Sequence, residues 1–504
     1  MKIKILIAGL ALTTFASCKK DFLDIAPETF ISSNNFFKTQ NDFTQAVNAT
    51  YAPLRNVYNS AYIMGEMRSD NTHYIYNNTN RGNLVREEIA DFIDNPTAEP
   101  VATKWTFNYR IIAYANEVLA RIDAATFDEN VKKNLKGQEL FLRSLAYFDL
   151  VQYFGDVPLV LTPTAGSADE IIGVRSTLAR TPKAEVYAQI IKDAKEAATL
   201  LPNKAAQEKG RATSGAAQTL LGNVYVVLKQ WADAETALRA VVNSTQYSLL
   251  SDYAAFFVPS NKNNAESVFE VQYQQGNLGL QSSFAYVFMP NLTNLSPITG
   301  FTFNNQNTGG WNIPSENILA AYATGDKRKG ASIADGYTVN SAFVAQPYVK
   351  KYLHLPLPAP NGSSPNTDEN WPVYRYAEVL LFLAEALNEQ GKSNQALPYL
   401  NLVRDRAFGA GAATITTTDQ VQLRDIILNE RRFELAFENK RWLDLVRTGK
   451  AVPVMSAYGA ALKTSGKYPN LVSSTYNVTA NRLLFPIPFN EILVDPKLIQ
   501  NPGY

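Results

Sequence analysis

Three carboxylates stand at four-residue intervals in the stretch NERRFELAFENKRWLD: Glu430, Glu434 and Glu438. Paired carboxylates are the machinery of glycoside hydrolysis, in which one gives a proton and the other attacks or activates water. Here Arg431, Arg432, Lys440 and Arg441 are interleaved with them. Neighbouring cations keep carboxylates ionised, which removes the protonated group a general acid must be. The spacing therefore predicts an ion-pair network that locks helix to helix. No other catalytic pattern competes: the chain has no G-x-S-x-G elbow, no Gly-rich phosphate loop before a helix and no H-E-x-x-H. The two histidines, His73 and His354, lack metal-ligand spacing, and a single cysteine, Cys18, can form neither an internal disulfide nor a zinc site. Nothing in the sequence asks for a cofactor or a metal.

The positive signal lies in loops rich in aromatic and amide side chains. Sugar rings present flat C–H faces that pack on Tyr or Trp, while Asn, Asp and Arg hydrogen-bond the hydroxyls around the rim. One such loop, RSDNTHYIYNNTNRG, offers Asp70, Tyr74, Tyr76, Asn78 and Arg81. A second, PNLTNLSPITGFTFNNQNTGGWNIP, offers Phe303, Asn304 and Trp311, with Tyr286 upstream. Four of the five tryptophans read as structural. Trp105, Trp231 and Trp442 sit in helical patterns, and Trp371 precedes Pro372 and a helix as a plug.

Composition is that of a globular chain, with 46% hydrophobic and 18% charged residues and 26 each of Tyr and Phe. The formal net charge of +1 becomes about −1 if Lys2 and Lys4 are removed with residues 1–17, leaving 45 basic against 46 acidic residues. Neither value supports a nucleic-acid partner held by phosphate neutralisation. Residues 1–17 read as a secretory signal. Lys2 and Lys4 form its positive end, and ILIAGLALTTFA is an apolar stretch too short to span a bilayer. Phe15, Ala16 and Ser17 before Cys18 resemble a bacterial lipobox, with Phe15 where Leu is usual. Cys18 is then the lipid-attachment point and first mature residue. At ~0.8 kcal/mol per buried CH₂, two or three acyl chains anchor stably where one is marginal. The KKD after Cys18 resembles signals that send lipoproteins of the Bacteroidetes to the outer face of the cell.

These loops must be positioned by helices, which dominate the pattern and come in pairs. Phe43, Val47, Tyr51 and Leu54 recur at helical spacing, as do Leu135, Leu142, Leu145, Phe148 and Val151. Two hairpins share one pattern: Leu221-Gly222, Tyr225, Ala234 and Leu238 match Leu383-Ala384, Leu387, Ala396 and Leu400. This is the tetratricopeptide arrangement, in which small residues let two antiparallel helices approach closely. ESVFEVQY reads as a short strand, and the segment from about 250 to 372 as long loops.

Six stretches, in order, resemble the SusD/RagB-like outer-membrane nutrient-binding lipoproteins of the Bacteroidetes over nearly the whole chain. They are SCKKDFLD, ELFLRSLAYFDLVQYFGDVPLV, GRATSGAAQTLLGNVYVVLKQW, YRYAEVLLFLAEALNEQGK with LNLVRDRA, NERRFELAFENKRWLDLVRTG, and FPIPFNEILVDPKLIQNPGY. The resemblance implies a mainly α, SusD-like helical fold with tetratricopeptide-like pairs as scaffold, long irregular loops and a few short strands. It places a signal at 1–17, a lipidated tether at 18–30, and a helical half at 31–250. The second half is 251–504 with a loop-rich insertion at about 270–372, and both halves form one compact domain. It further implies a non-enzymatic protein of polysaccharide utilization, lipid-anchored in the outer membrane and exposed at the cell surface. Such a protein captures oligosaccharides and passes them to a SusC-like TonB-dependent transporter. A peptide-binding lid of the RagB type is the alternative, and a lipoprotein glycosidase a more distant one. In the family, ligand contacts come from variable loops in the two regions named above.

Overall fold

The computed structural model describes residues 36–504 except 79–80, 82, 164–177, 277, 307 and 358–365. The signal segment, Cys18 and the tether lie outside the described residues. The fold is mainly α, with about 52% helix and a few short strands.

Among the helices that build the scaffold are α1 (Gln40–Tyr51), α2 (Leu84–Ala90), α3 (Glu99–Leu119), α4 (Glu129–Phe154), α5 (Lys183–Leu200), α6 (Ser214–Val227) and α7 (Trp231–Asn243). After the insertion come α8 (Tyr376–Glu389), α9 (Ser393–Phe408), α10 (Gln420–Glu434) and α11 (Arg441–Arg447). Helices α3 to α9 form one continuous array in which each packs against the next, and α10 leans on α8 and α9. The array runs straight through the insertion. Helix α7 packs on α8 although more than 130 residues of sequence separate their facing ends.

Local chemistry explains the helix limits. Asp128 caps α4 by accepting hydrogen bonds from the Asn130 and Val131 amides, at 2.9 and 3.0 Å. Gly155 ends the same helix at φ 74°, a conformation that favours glycine. The predicted stripe of α4 is buried, but so is every residue from Leu135 to Phe154 except Lys136, Asp149 and Gln152. The helix is therefore the centre of the core rather than one of its walls. Arg143 in its middle forks onto Asp193 of α5 (2.8 and 2.9 Å) and Asn116 of α3 (2.8 Å), tying three helices by one guanidinium.

The paired hairpins fold as their small residues imply. A Cβ on Gly222 of α6 would lie 2.5 Å from the Leu238 side chain of α7, so any larger residue here forces Leu238 to move. Ala384, Ala396 and Leu400 are fully buried at the matching positions of α8 and α9.

The strands are short and pair antiparallel: β1 (Thr72–His73) with β3 (Ile313–Pro314), β2 (Ser267–Val271) with β8 (Trp371–Arg375), β4 (Ile333–Ala334) with β7 (Tyr348–Val349), and β5 (Tyr337–Val339) with β6 (Ala342–Val344). The β2–β8 ladder closes the base of the insertion by setting Val271 opposite Trp371. Trp371 is 1% exposed. It stacks on Tyr352 with ring centroids 5.2 Å apart and meets the edge of Phe284 at 5.3 Å, so it plugs the base of the insertion. Trp105 and Trp442 are likewise buried, whereas Trp231 is half-buried at the start of α7.

Candidate functional site

Helix α10 carries Glu430 and Glu434 but ends at Glu434. Glu438 follows in a turn where Phe437 and Asn439 adopt φ of 68° and 63°. All three carboxylates are buried. Their partners are not the cations beside them in sequence. Glu430 pairs with Arg328 and Arg404, both at 2.6 Å. Glu434 pairs with Arg328 (3.1 Å), Arg375 (2.5 Å) and Arg406, and Glu438 with Lys351 (2.5 Å) and Arg375 (2.9 Å). Glu266 joins through Arg375 (2.9 Å) and Arg406 (2.6 Å), and Asp326 through Arg328 (2.8 Å). Five cations thus meet five carboxylates, and the hub is neutral.

Meanwhile Arg431 pairs with Glu378 and Asp444, Lys440 with Glu378, and Arg432 and Arg441 with Asp70. Burial alone would raise the Glu434 carboxyl, but Arg406, Arg375 and Arg328 outweigh it and hold the group well below the usual carboxylate range. A carboxylate fixed in that state cannot serve as a general acid, and these three have no open face for a substrate.

The two aromatic loops, by contrast, meet. The β1–β3 ladder sets Thr72 opposite Pro314 and His73 opposite Ile313. It continues on both sides: the Ile75 amide donates to Gly310 O (2.9 Å) and the Ser315 amide to Asn71 O (2.9 Å). The close weave explains the glycine pair in NTGGW. A Cβ on Gly309 would fall 2.1 Å from the Asn305 amide nitrogen, and Gly310 sits at φ 83°. Asn305 is fully buried. Its side chain donates to Pro290 O (2.9 Å) and accepts from the Leu292 amide (2.8 Å), holding the second loop in shape.

The structure sorts the nine ligand candidates into two groups. Asp70 is 3% exposed and gripped by Arg441 (2.8 and 3.1 Å) and Arg432 (2.9 Å), so it is an internal anchor rather than a rim group. Tyr286 and Phe303 pack edge to face at 5.1 Å inside a small apolar cluster of their own loop, leaving no open ring face. Tyr74 is 1% exposed, and its hydroxyl donates to Asp91 (2.7 Å) while accepting from Asn470 (2.6 Å). In each case burial corrects the surface role that residue type alone suggested.

Trp311, too, is buried, under Arg86, whereas Tyr76, Asn78, Arg81 and Asn304 remain at the surface. Arg81 lies 5.3 Å from the Tyr76 ring and pairs with Glu87 of α2, Nε to Oε2 at 3.0 Å. Burial pushes the Glu87 carboxyl up, and Arg81 opposes the shift. Asn304 is exposed and accepts from the Gln306 amide (3.0 Å) in a local turn.

Two residues of the face carry no mark in the sequence. Arg86 of α2 lies over the Trp311 ring at 5.1 Å. Tyr468, more than 150 residues beyond Trp311, meets the edge of His73 at 4.3 Å, and His73 in turn stacks on Tyr74 at 4.2 Å. Burial pushes the Tyr468 hydroxyl up to about 12, so it is a neutral donor across the physiological range. The result is a row of rings, Tyr468, His73, Tyr74 and Trp311, edged by Tyr76, Arg81 and Arg86. Of these rings only Tyr468 and Tyr76 are partly exposed, with His73, Tyr74 and Trp311 buried behind them, so a ligand would meet Tyr76 and Tyr468 with Arg81 and Arg86 at the rim. The face presents no nucleophile beside a base. Among the described residues no cluster of three or more His, Cys, Asp or Glu is placed to hold a metal ion.

Comparison with known proteins agrees along the chain. Residues 338–504 match the model of the SusD family, and residues 21–226 match a model described as starch-binding associating with outer membrane. A SusD-like protein, P25, of Formosa agariphila is 27% identical, with 100% of both chains covered. A SusD-like protein of Bacteroides ovatus is 24% identical over 100% of this chain and 98% of its own. Among solved structures, a laminarin binding SusD-like protein superposes with a TM-score of 0.75 at 25% identity, covering 93% of this chain and 100% of its own. A SusD homolog from Bacteroides thetaiotaomicron reaches 0.80 at 22% identity, covering 95% and 99%, a likeness of fold alone.

Proposed function

Because this chain belongs to the SusD/RagB-like family, we propose that it is a cell-surface glycan-binding lipoprotein. It captures oligosaccharides on the laced aromatic face and delivers them to a SusC-like TonB-dependent transporter, without breaking a bond. The observation that carries this reading is the β1–β3 ladder, which joins two loops about 240 positions apart beneath one face bearing Tyr76, Arg81, Arg86 and Tyr468. The laminarin-binding relative supports the ligand class. Cys18, acylated, tethers the protein to the outer membrane, and residues 18–30 act as the leash.

Binding here rests on shape. Each exposed hydroxyl exchanges water for a protein hydrogen bond at a net gain of about 0.5–1.5 kcal/mol or less, so ring stacking must supply selectivity. Titration calorimetry against a panel of oligosaccharides and peptides tests the reading. Saturable heat with at least one glycan supports it; exclusive binding of peptides, or release of reducing ends at enzyme-like rates, sinks it. The partner is tested by gentle solubilisation of the outer membrane: the protein should co-purify with a large β-barrel companion, and loss of that companion removes the delivery step. Cys18→Ala should release the protein from the membrane fraction.

A further inference from the structure

On the reading of the aromatic face as a glycan site, we infer that the glycan is acidic, bearing carboxylate or sulfate groups, and that Arg86 reads that charge. The other arginines around the face all have carboxylate partners. Arg81 pairs with Glu87, Arg68 with Asp94, and Arg432 and Arg441 with Asp70. Lys467, beside Tyr468, pairs with Glu316. Arg86 stands apart. Among the described residues no carboxylate lies within ion-pair distance of it, and its buried Nε finds no hydrogen-bond acceptor. Arg86 therefore holds a positive charge without an ion-pair partner, partly exposed and placed over an indole ring.

A guanidinium is suited to this position. It is planar, weakly hydrated and always charged, and its fork of N–H donors matches the paired oxygens of a carboxylate or sulfate. Held over Trp311 by a cation–π contact at 5.1 Å, it has less freedom to lose on binding. The same stacking argues against a neutral ligand. Trp311 is only 8% exposed, and a neutral sugar could reach the ring face only by displacing Arg86 and breaking the cation–π contact. An acidic substituent engages Arg86 where it already stands and leaves the indole covered. Tyr468 and the part of Tyr76 that Arg81 leaves uncovered remain to contact the sugar rings.

The test compares three probe sets on the purified protein by calorimetry: neutral β-glucan oligosaccharides, oligouronates from alginate or pectin, and sulfated galactan oligosaccharides. One acidic set should bind most tightly, and its affinity should fall as ionic strength rises. Arg86→Gln should weaken that set by about tenfold or more, the size of a lost charge-assisted hydrogen bond, and abolish the salt dependence. Arg86→Lys, which keeps the charge and loses the planar fork, should retain an intermediate affinity. Which acidic set wins tells uronate from sulfate. Neutral oligosaccharides binding as tightly as the acidic sets would overturn the inference and leave glycan binding intact. So would an acidic preference that survives Arg86→Gln. Failure of all three sets to bind would overturn both.

Discussion

The ion hub and the aromatic face are built from the same side chains, arginine, glutamate and tyrosine, to opposite ends. In the hub, five cations and five carboxylates cancel with water excluded, and Arg375 alone touches Glu266, Glu434 and Glu438. In the face, Arg81 is half-exposed and shares one glutamate, and Arg86 has an aromatic ring where the hub would supply an acid. Complete pairing gives rigidity and forbids chemistry. Incomplete pairing at a surface leaves charge and ring faces for something else to bind. The hub spans Glu266 before β2, Arg328, Lys351, Arg375 at the end of β8, and α9 and α10, so it fastens the insertion that carries half of the face.

The contrast can be broken most severely at the hub. Arg375→Ala takes one cation from three buried carboxylates, leaving the hub one charge negative, and should cost about 3–5 kcal/mol, read as a large drop in urea midpoint. A loss below about 1 kcal/mol would show that water or relaxation compensates the hub. Within the helix array, Gly222→Val drives side-chain atoms into Leu238 and should cost about 1–3 kcal/mol, with Leu238→Ala in the same chain recovering part of it. At the face the effects should move from stability to binding. Tyr76→Ala should lower glycan affinity about two- to tenfold, the scale of one aromatic contact, while stability stays within about 0.5 kcal/mol.

The smallest effect concerns Glu235 of α7, which joins Arg239 (2.8 Å) to Lys392 in the α8–α9 turn (2.6 Å). Partial burial works to raise its carboxyl, but Lys392, Arg239 and Gln390 prevail and lower it to about 2. A depressed folded-state value means stability that is present above the ordinary glutamate range and lost as pH falls from 4.5 through about 2. Glu235→Gln should flatten that acid limb, by less than about 1 kcal/mol because solvent screens the pair.

Much of the fold was legible because burial of helices is periodic. The stripe on α4, the small residues of both hairpins and the ESVFEVQY strand all sit where their spacing put them. The ion-pair network was legible as a network but not in its wiring. Interleaved charges suggested neighbours, whereas the turn at Phe437 and Asn439 sends Glu438 off the helix. The real partners, Arg328, Lys351, Arg375, Arg404 and Arg406, come from distant elements. At the face, the two loops were legible from composition, yet residue type could not tell an open ring from a covered one. Tyr286 and Phe303 went inside a small apolar cluster of the insertion, Tyr74 and Trp311 joined the main core, and Asp70 was buried between two arginines.

Local sequence determined the helical class and its hairpins, through apolar spacing and small residues at close approaches. It also carries no H-E-x-x-H or G-x-S-x-G motif. Tertiary structure alone decided that the two loops share one ladder, that Tyr468 arrives beside them, and that Arg86 covers Trp311. Those contacts join residues up to about 400 positions apart, and no local spacing encodes a pairing that only the closing of the insertion on its array brings about.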